Sequence, residues 1–276
     1  MNFIEAVILG VVQGLTEFLP VSSSGHLVLL QKIFGINEPG LFFDTMLHFG
    51  TLVAVFVVLW KDIWSILKKP IQPLTGYLII ATVPAVIAAI LFKDSIENLF
   101  DTAKYLGFCF LITTFLLLIA ELLSRRAAEN KSTSRAVSSL KNEKNMKWLD
   151  ALIIGIMQAI AIPPGISRSG ATISGALLRK LDRDFAARFS FLLSIPAILG
   201  AAVLQTNDLL KGATTEAVIN TAAVIAGTIT AAVTGFFAVK FMLKIIREKS
   251  LYGFAVYTGI LGILVIIDQF VTRIVF

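Results

Sequence analysis

Gln13 and Glu17 stand one helical turn apart, and Pro20, Ser22, Ser23, Ser24, Gly25 and His26 come directly after them. This gathers oxygen ligands, hydroxyls and an imidazole in one short stretch of otherwise apolar chain. At i, i+4 spacing Gln13 and Glu17 share a helix face and offer two oxygens of the kind a hard divalent cation takes. The alternatives are structural: Glu17 as a carboxylate paired to Arg168 for packing, and Gln13 as an interhelical hydrogen-bonding group. The serines could cap the next helix. His26 could act as general base or nucleophile, its proton being the most easily exchanged near neutral pH, or sit as a hydrogen-bonded core histidine. His48, the other histidine, lies inside an apolar stretch and reads as structural.

A second cluster runs Pro163-Pro164-Gly165-Ile166-Ser167-Arg168-Ser169-Gly170-Ala171-Thr172. Gly165 and Gly170 allow backbone N–H groups close approach, and the helix after the loop turns its positive dipole end towards it. Arg168 adds a planar fork of donors matched to phosphate oxygens. Ser167, Ser169 and Thr172 complete an anion cradle. No Gly-Lys-Ser/Thr comes after it and no strand precedes it, so the loop is not a nucleotide P-loop.

The two clusters are copies of one pattern. Gly10-x-x-Gln13 with Ser22-x-Ser24-Gly25 recurs as Gly155-x-x-Gln158 with Ser167-x-Ser169-Gly170, 145 positions later. Each copy runs an apolar helical segment into a Pro, Gly and Ser-rich loop and then into a second apolar segment.

Composition sets the surroundings. The 276 residues are 57% hydrophobic and 15% charged, with a mean hydropathy of +0.85, against about 25% charge in soluble domains. The chain is therefore an all-α polytopic membrane protein. Cys109 is the single cysteine, so no disulfide framework exists, and it reads as a packed thiol. No Lys or Arg precedes Lys32, so the first apolar segment lacks the positive start of a signal peptide. The net charge of +6 clusters in loops beside apolar stretches, as the positive-inside rule requires, and nucleic acid is not an expected partner.

Apolar runs of spanning length, roughly 20 residues, occur near 42–60, 73–92, 104–123, 186–205, 217–239 and 252–273. These predict six spanning helices. The repeated segments are broken by Pro20 to Gly25 and by Pro163 to Gly170. A piece such as Leu27–Phe34 extends only about 12 Å and cannot cross alone. Each copy therefore reads as a re-entrant helix-loop-helix hairpin, its irregular backbone tolerated where it lines a polar cavity. Ten helical pieces are expected, in a single integral membrane domain over 1–276: repeat one at 1–123, a linker at 124–147 and repeat two at 148–276.

The linker carries seven Lys and Arg against Glu129 and Glu143, which puts it in the cytoplasm. Hairpin one then enters from outside and returns there by Glu38, while hairpin two enters from the cytoplasm and returns by Arg179. The halves are inverted-topology repeats, an architecture whose site lies where discontinuous helices meet. The two loops should face each other.

Gln13-x-x-x-Glu17 with Pro20-Val-Ser-Ser-Ser-Gly-His26, joined to Pro164-Gly-Ile-Ser-Arg-Ser-Gly-Ala-Thr172, resembles the bacterial undecaprenyl-diphosphate phosphatases of the bacitracin-resistance type. The resemblance covers essentially the whole chain. It implies a bacterial inner-membrane hydrolase with its site opening to the outer face. Such an enzyme removes the terminal phosphate of the C55 polyprenyl diphosphate and regenerates the lipid carrier for cell-wall synthesis. It also implies a divalent cation, Mg2+ or Ca2+, at Glu17 and Gln13. The family takes Glu or Gln at the first motif position, so with Gln13 here any role that needs charge falls to Glu17.

In this reading Glu17, His26, Ser23 and Arg168 are the catalytic candidates. Ser22, Ser24, Gly165, Ser167, Ser169, Gly170 and Thr172 hold the diphosphate. Attack by Ser23, attack by His26, and water activated by His26 all remain open, as does a homodimer. Inverted repeats and broken helices serve a secondary transporter or flippase equally well, while a purely structural lipid-binding protein would not need Glu17 and His26 together.

Overall fold

The computed structural model describes residues 1–36, 41–129, 140–210 and 221–276; the return of hairpin one at Glu38 lies outside the described residues. Among the described residues the chain forms twelve α-helices and ends in a π-helical turn, Asp268–Thr272. In order they are α1 Phe3–Phe18, α2 Ser23–Ile33, α3 Leu41–Val58, α4 Trp60–Lys68, α5 Pro73–Leu91, α6 Lys93–Thr102, α7 Leu106–Glu129, α8 Trp148–Ile160, α9 Arg168–Leu178, α10 Arg183–Leu210, α11 Thr221–Glu248 and α12 Tyr252–Ile267. The only β pairing among them is an isolated bridge between Lys141 and Leu181.

Among the described residues five stretches, in α5, α7, α10, α11 and α12 with the turn that ends it, are long and apolar enough to cross a bilayer. A sixth span results when α3 and α4 count together, bent by 80° at their junction. Two of the twelve helices exceed the sequence expectation of ten. In α4, Trp60 and Trp64 stack with centroids 5.4 Å apart and Lys68 sits over Trp64, the aromatic and cationic mixture that settles at a membrane interface. The charges of α4 and the acidic residues Asp94, Glu97 and Asp101 of α6 set both segments outside the apolar runs. Helix α7 continues to Glu129, into the segment 124–147.

The hairpins form for local reasons. Asn2 caps α1 in a reciprocal capping box with Glu5, and Pro20 stops its continuation. Pro163 and Pro164 do the same after α8. At 16 and 13 residues, α1 and α8 reach roughly 24 and 20 Å, short of a hydrocarbon core of about 30 Å.

Equivalent glycines seat both hairpins. A Cβ on Gly10 would lie 2.4 Å from the Gly227 carbonyl oxygen of α11, and one on Gly155 would lie 2.5 Å from the Ala81 oxygen of α5. Small residues at these crossings let backbones approach where lipid supplies no hydrophobic driving force. Along α1, contacts advance from Ala6 at Gly227 to Phe18 at Gly235, so α1 runs parallel to α11. The start of α8 lies by the start of α5, where the Tyr77 hydroxyl donates to the Met146 carbonyl at 2.7 Å. Because α11 starts at the face opposite the linker and α5 at the linker face, the hairpins enter from opposite faces.

The linker face is held by buried carboxylates. Asp150, fully buried, accepts from Lys141 Nζ at 2.7 and 2.8 Å, Arg179 Nε at 2.7 Å and the Lys147 N–H at 3.0 Å. Burial pushes this carboxyl up, but the hydrogen bonds from Lys141 and Arg179 hold it below the usual range. Glu121 accepts from Arg125, Arg183 and the Leu251 N–H, tying α7 to α10 and to the start of α12. The largest apolar cluster, including Phe18, Leu117, Ile154, Phe189 and Phe191, fills the interior between these elements.

Candidate functional site

The two loops meet through their backbones. A Cβ on Gly25 would lie 2.8 Å from Gly165 Cα, and Gly165 itself has φ +92° with no room for a side chain against Cys109 and Leu106. Ser169 Oγ donates to the Leu19 carbonyl at 3.0 Å. Thr113 of α7 fixes loop two, donating to the Gly165 carbonyl at 3.0 Å and accepting from the Ser167 N–H at 2.9 Å.

Both loops cap their helices alike. Ser22 Oγ accepts from the Gly25 N–H at 3.3 Å, and Ser167 Oγ from the Gly170 N–H at 3.0 Å. Each cap contributes about 1 kcal/mol. Ser22–Ser24 and Ser167–Ser169 hydroxyl pairs lie at 3.4 and 3.2 Å. The first-turn N–H groups of Ser23, Ser24, Arg168 and Ser169 have no intrahelical acceptor, so two positive helix ends converge.

Ser22 sits at φ 72°, ψ 95°, a region L-residues rarely adopt and one that costs about 1–3 kcal/mol. The strain turns the chain so that Ser23 Oγ donates to Glu17 Oε2 at 2.5 Å. Arg168 Nη2 donates to the other oxygen, Oε1, in an ion pair across the two loops. Arg168 Nη1 reaches the Ser194 carbonyl at 3.4 Å. Glu17 is almost wholly buried, and the Arg168 side chain keeps 21% of its surface exposed.

Gln13 Nε2 donates to Glu17 Oε2 at 2.9 Å and lies 2.9 Å from His48 Nδ1. His48, read from sequence as structural, therefore belongs to the cluster, with Nδ1 3.5 Å from Glu17 Oε2. The signal available was Asp44 and His48 at i, i+4 on an apolar helix, which puts two costly groups on one inward face. Asp44 in turn accepts from Gln31 Nε2 at 3.2 Å.

His26 is placed differently. Its Nδ1 lies 2.6 Å from the Ser22 carbonyl, which can only accept, so Nδ1 carries the proton and Nε2 accepts from the Tyr257 hydroxyl at 2.7 Å. The ring stacks on Tyr257 and meets Phe110 edge-on. Both nitrogens are committed, and no hydrogen bond joins His26 to Glu17, Ser23 or Arg168 among the described residues. Thr172 also faces elsewhere: its hydroxyl donates to the Arg168 carbonyl at 2.8 Å and pairs with Ser190 at 2.6 Å, which makes it a packing group between α9 and α10.

For a divalent cation the donor chemistry fits in part. Among the described residues Gln13 Oε1 is buried without a partner, on the same amide whose Nε2 donates to Glu17 Oε2 at 2.9 Å. Among the described residues no three His, Cys, Asp or Glu side chains form a metal-holding group, so phosphate oxygens and water would have to complete the shell, as they commonly do for Mg2+. Two apolar grooves of about 360 and 300 Å3, between α3 and α11 and between α5 and α10, are lined by none of these residues.

The family model of the bacitracin resistance protein BacA matches residues 6–264. An undecaprenyl-diphosphatase of Carboxydothermus hydrogenoformans is 48% identical over 269 residues, covering 98% of each chain. Undecaprenyl-diphosphatase 4 of Bacillus thuringiensis subsp. konkukian is 46% identical over 270 residues, again 98% of each. An undecaprenyl-diphosphatase of Methanosphaera stadtmanae is 40% identical over 289 residues, covering 97% of this chain and 98% of its own.

Proposed function

The chain belongs to the bacitracin resistance protein BacA family, and from that premise we propose that it hydrolyses undecaprenyl diphosphate to undecaprenyl phosphate and phosphate. The carrying observation is the joint site: Glu17 pairs with Arg168 of the opposite loop while accepting the Ser23 hydroxyl proton at 2.5 Å, between two helix N-termini. The setting is the bacterial inner membrane, with the site opening to the outer face, opposite the basic linker, from which hairpin one enters. The recycled lipid serves cell-wall synthesis, and its regeneration underlies bacitracin resistance.

The free site is neutral and closed by the Glu17–Arg168 pair. An entering diphosphate takes the Arg168 fork and the free first-turn N–H groups. Glu17, deprived of its counter-ion, then directs its full charge at the Ser23 hydroxyl. Ser23 Oγ bonds to the terminal phosphorus as the bond from that phosphorus to the bridging oxygen breaks. Undecaprenyl phosphate leaves with the bridging oxygen, and the serine proton passes to Glu17. Release of that proton to water restores the carboxylate, which takes a proton from the water that attacks the phosphoserine phosphorus; the bond from phosphorus to Oγ breaks, Glu17 returns the proton to Ser23 Oγ, and inorganic phosphate leaves. Glu17 and Gln13 Oε1 would hold a divalent ion, Mg2+ or Ca2+, whose chemistry is to neutralise charge on the phosphoryl oxygens. His26, held between Ser22 and Tyr257, stiffens the strained turn that aims Ser23.

Broken helices entering from opposite faces also favour a second reading, carriage of a phosphorylated lipid across the membrane. Phosphate release by pure protein in detergent, with long prenyl diphosphate compared with phosphatidic acid and nucleotide, distinguishes them. Turnover of the prenyl diphosphate alone is expected; intact lipid bound without phosphate release would favour carriage.

A further inference from the structure

Among the described residues His48 is the one group beside Glu17 to which the phosphoryl-transfer reading gives no task. It comes from α3, outside both loops, and its Nδ1 lies 2.9 Å from Gln13 Nε2. That amide nitrogen carries two hydrogens and accepts none. One hydrogen goes to Glu17 Oε2 at 2.9 Å, and the other is directed to His48, whose Nδ1 accepts it. A single hydrogen bond fixes one point of an amide; two divergent ones fix its plane. With both hydrogens committed, Gln13 Oε1 is left, among the described residues, as a buried oxygen without a partner in a fully buried side chain. Leaving a buried acceptor unpaired is unfavourable, so the arrangement calls for a ligand that supplies the missing positive end.

We propose that His48 is a positioning residue that locks the Gln13 amide so that Oε1 stands beside the Glu17 carboxylate as a ligand for an oxygen-seeking divalent cation. The proposal rests on the phosphoryl-transfer reading of the same site. His48 acts through Gln13 and touches neither the lipid nor the phosphate.

The test combines kinetics with metal binding. His48→Ala lowers kcat about tenfold with KM for the prenyl diphosphate unchanged. It also weakens Mn2+ binding, read from the electron paramagnetic resonance of bound and free Mn2+, by a similar factor. His48→Asn, whose Oδ1 falls near the place of Nδ1 and can accept the same hydrogen, restores most of both. In a Gln13→Ala background His48→Ala costs nothing further, since residues that act through one another are not additive. A full additional loss in that background, or an unchanged Mn2+ affinity in His48→Ala, overturns the proposal. Loss of turnover in Glu17→Gln with His48→Ala fully active overturns the His48 role alone. Full turnover in Glu17→Gln removes the reading of the site and the proposal with it.

Discussion

Glu17→Gln keeps the shape of the side chain and removes its charge. In the native site Oε1 accepts from Arg168 and Oε2 from Ser23 at 2.5 Å and Gln13 at 2.9 Å. The new amide nitrogen would face a donor on either side, Gln13 Nε2 in one orientation and Arg168 in the other. Breaking a buried ion pair costs about 3–5 kcal/mol; the 21% exposure of Arg168 lets water take over part of its solvation and moves the stability loss towards the lower end. Loss of a general base costs about 10²–10⁴ in rate, or about 3–6 kcal/mol of barrier at about 1.4 kcal/mol per tenfold. The expected variant is folded, melts lower than wild type and turns over at least a hundredfold more slowly. The assay is single-turnover phosphate release from a long prenyl diphosphate in detergent, beside a thermal melt. A folded Glu17→Gln protein within fivefold of the wild-type rate would refute the assignment of Glu17 as the acceptor of the Ser23 proton.

Arg168→Lys keeps the charge but cannot serve Glu17 and Ser194 together, so binding of a non-hydrolysable prenyl diphosphate should weaken by about tenfold or more and turnover should fall with it; undiminished affinity would contradict the cradle. Asp150→Asn strands Lys141 and Arg179 and should lower the melting temperature at pH 7 while KM stays unchanged. Because the folded Asp150 carboxyl is held below its ordinary value, its contribution is fully present above about pH 4 and is lost as pH falls through the folded value. Stability of wild type should therefore drop more steeply on acidification than that of Asp150→Asn, and parallel curves would argue against it. In a Cys109-replaced background, a cysteine at exposed Asn98 should react with an impermeant thiol reagent on intact cells and one at exposed Glu143 should not; same-sided labelling would contradict the topology.

The features legible in the sequence were those with a local cause. Pro20 and Pro163-Pro164 break helices wherever they stand, Ser22 and Ser167 cap α2 and α9, and the repeated Gly-x-x-Gln and Ser-x-Ser-Gly patterns place both hairpins. Five of the spans, and the sixth where α3 and α4 count together, come from hydropathy alone. Groups joined only by tertiary packing were not legible. His48 meets Gln13 because α3 lies against α1, and Tyr257 claims His26 from the far end of the chain. The i, i+4 spacing of Asp44 and His48 marks an inward face of α3, but nothing in the spacing names Gln13 or Tyr257 as the partners. A motif position says nothing of rotamer, and the Thr172 hydroxyl turns back to its own helix and to Ser190. The short helices α4 and α6 were hidden by their charges, which suit an interface as well as a loop.

In the proposed mechanism the paired loops aim Ser23, activated by Glu17, at the terminal phosphorus. Rapid acid quench of purified protein with undecaprenyl diphosphate labelled in the terminal phosphate, with peptide mapping of the quenched protein, observes that step itself. Label should appear transiently on Ser23, vanish in Ser23→Ala and fail to accumulate in Glu17→Gln. Phosphate release at the wild-type rate with no label on Ser23, or undiminished turnover in Ser23→Ala, would contradict the mechanism.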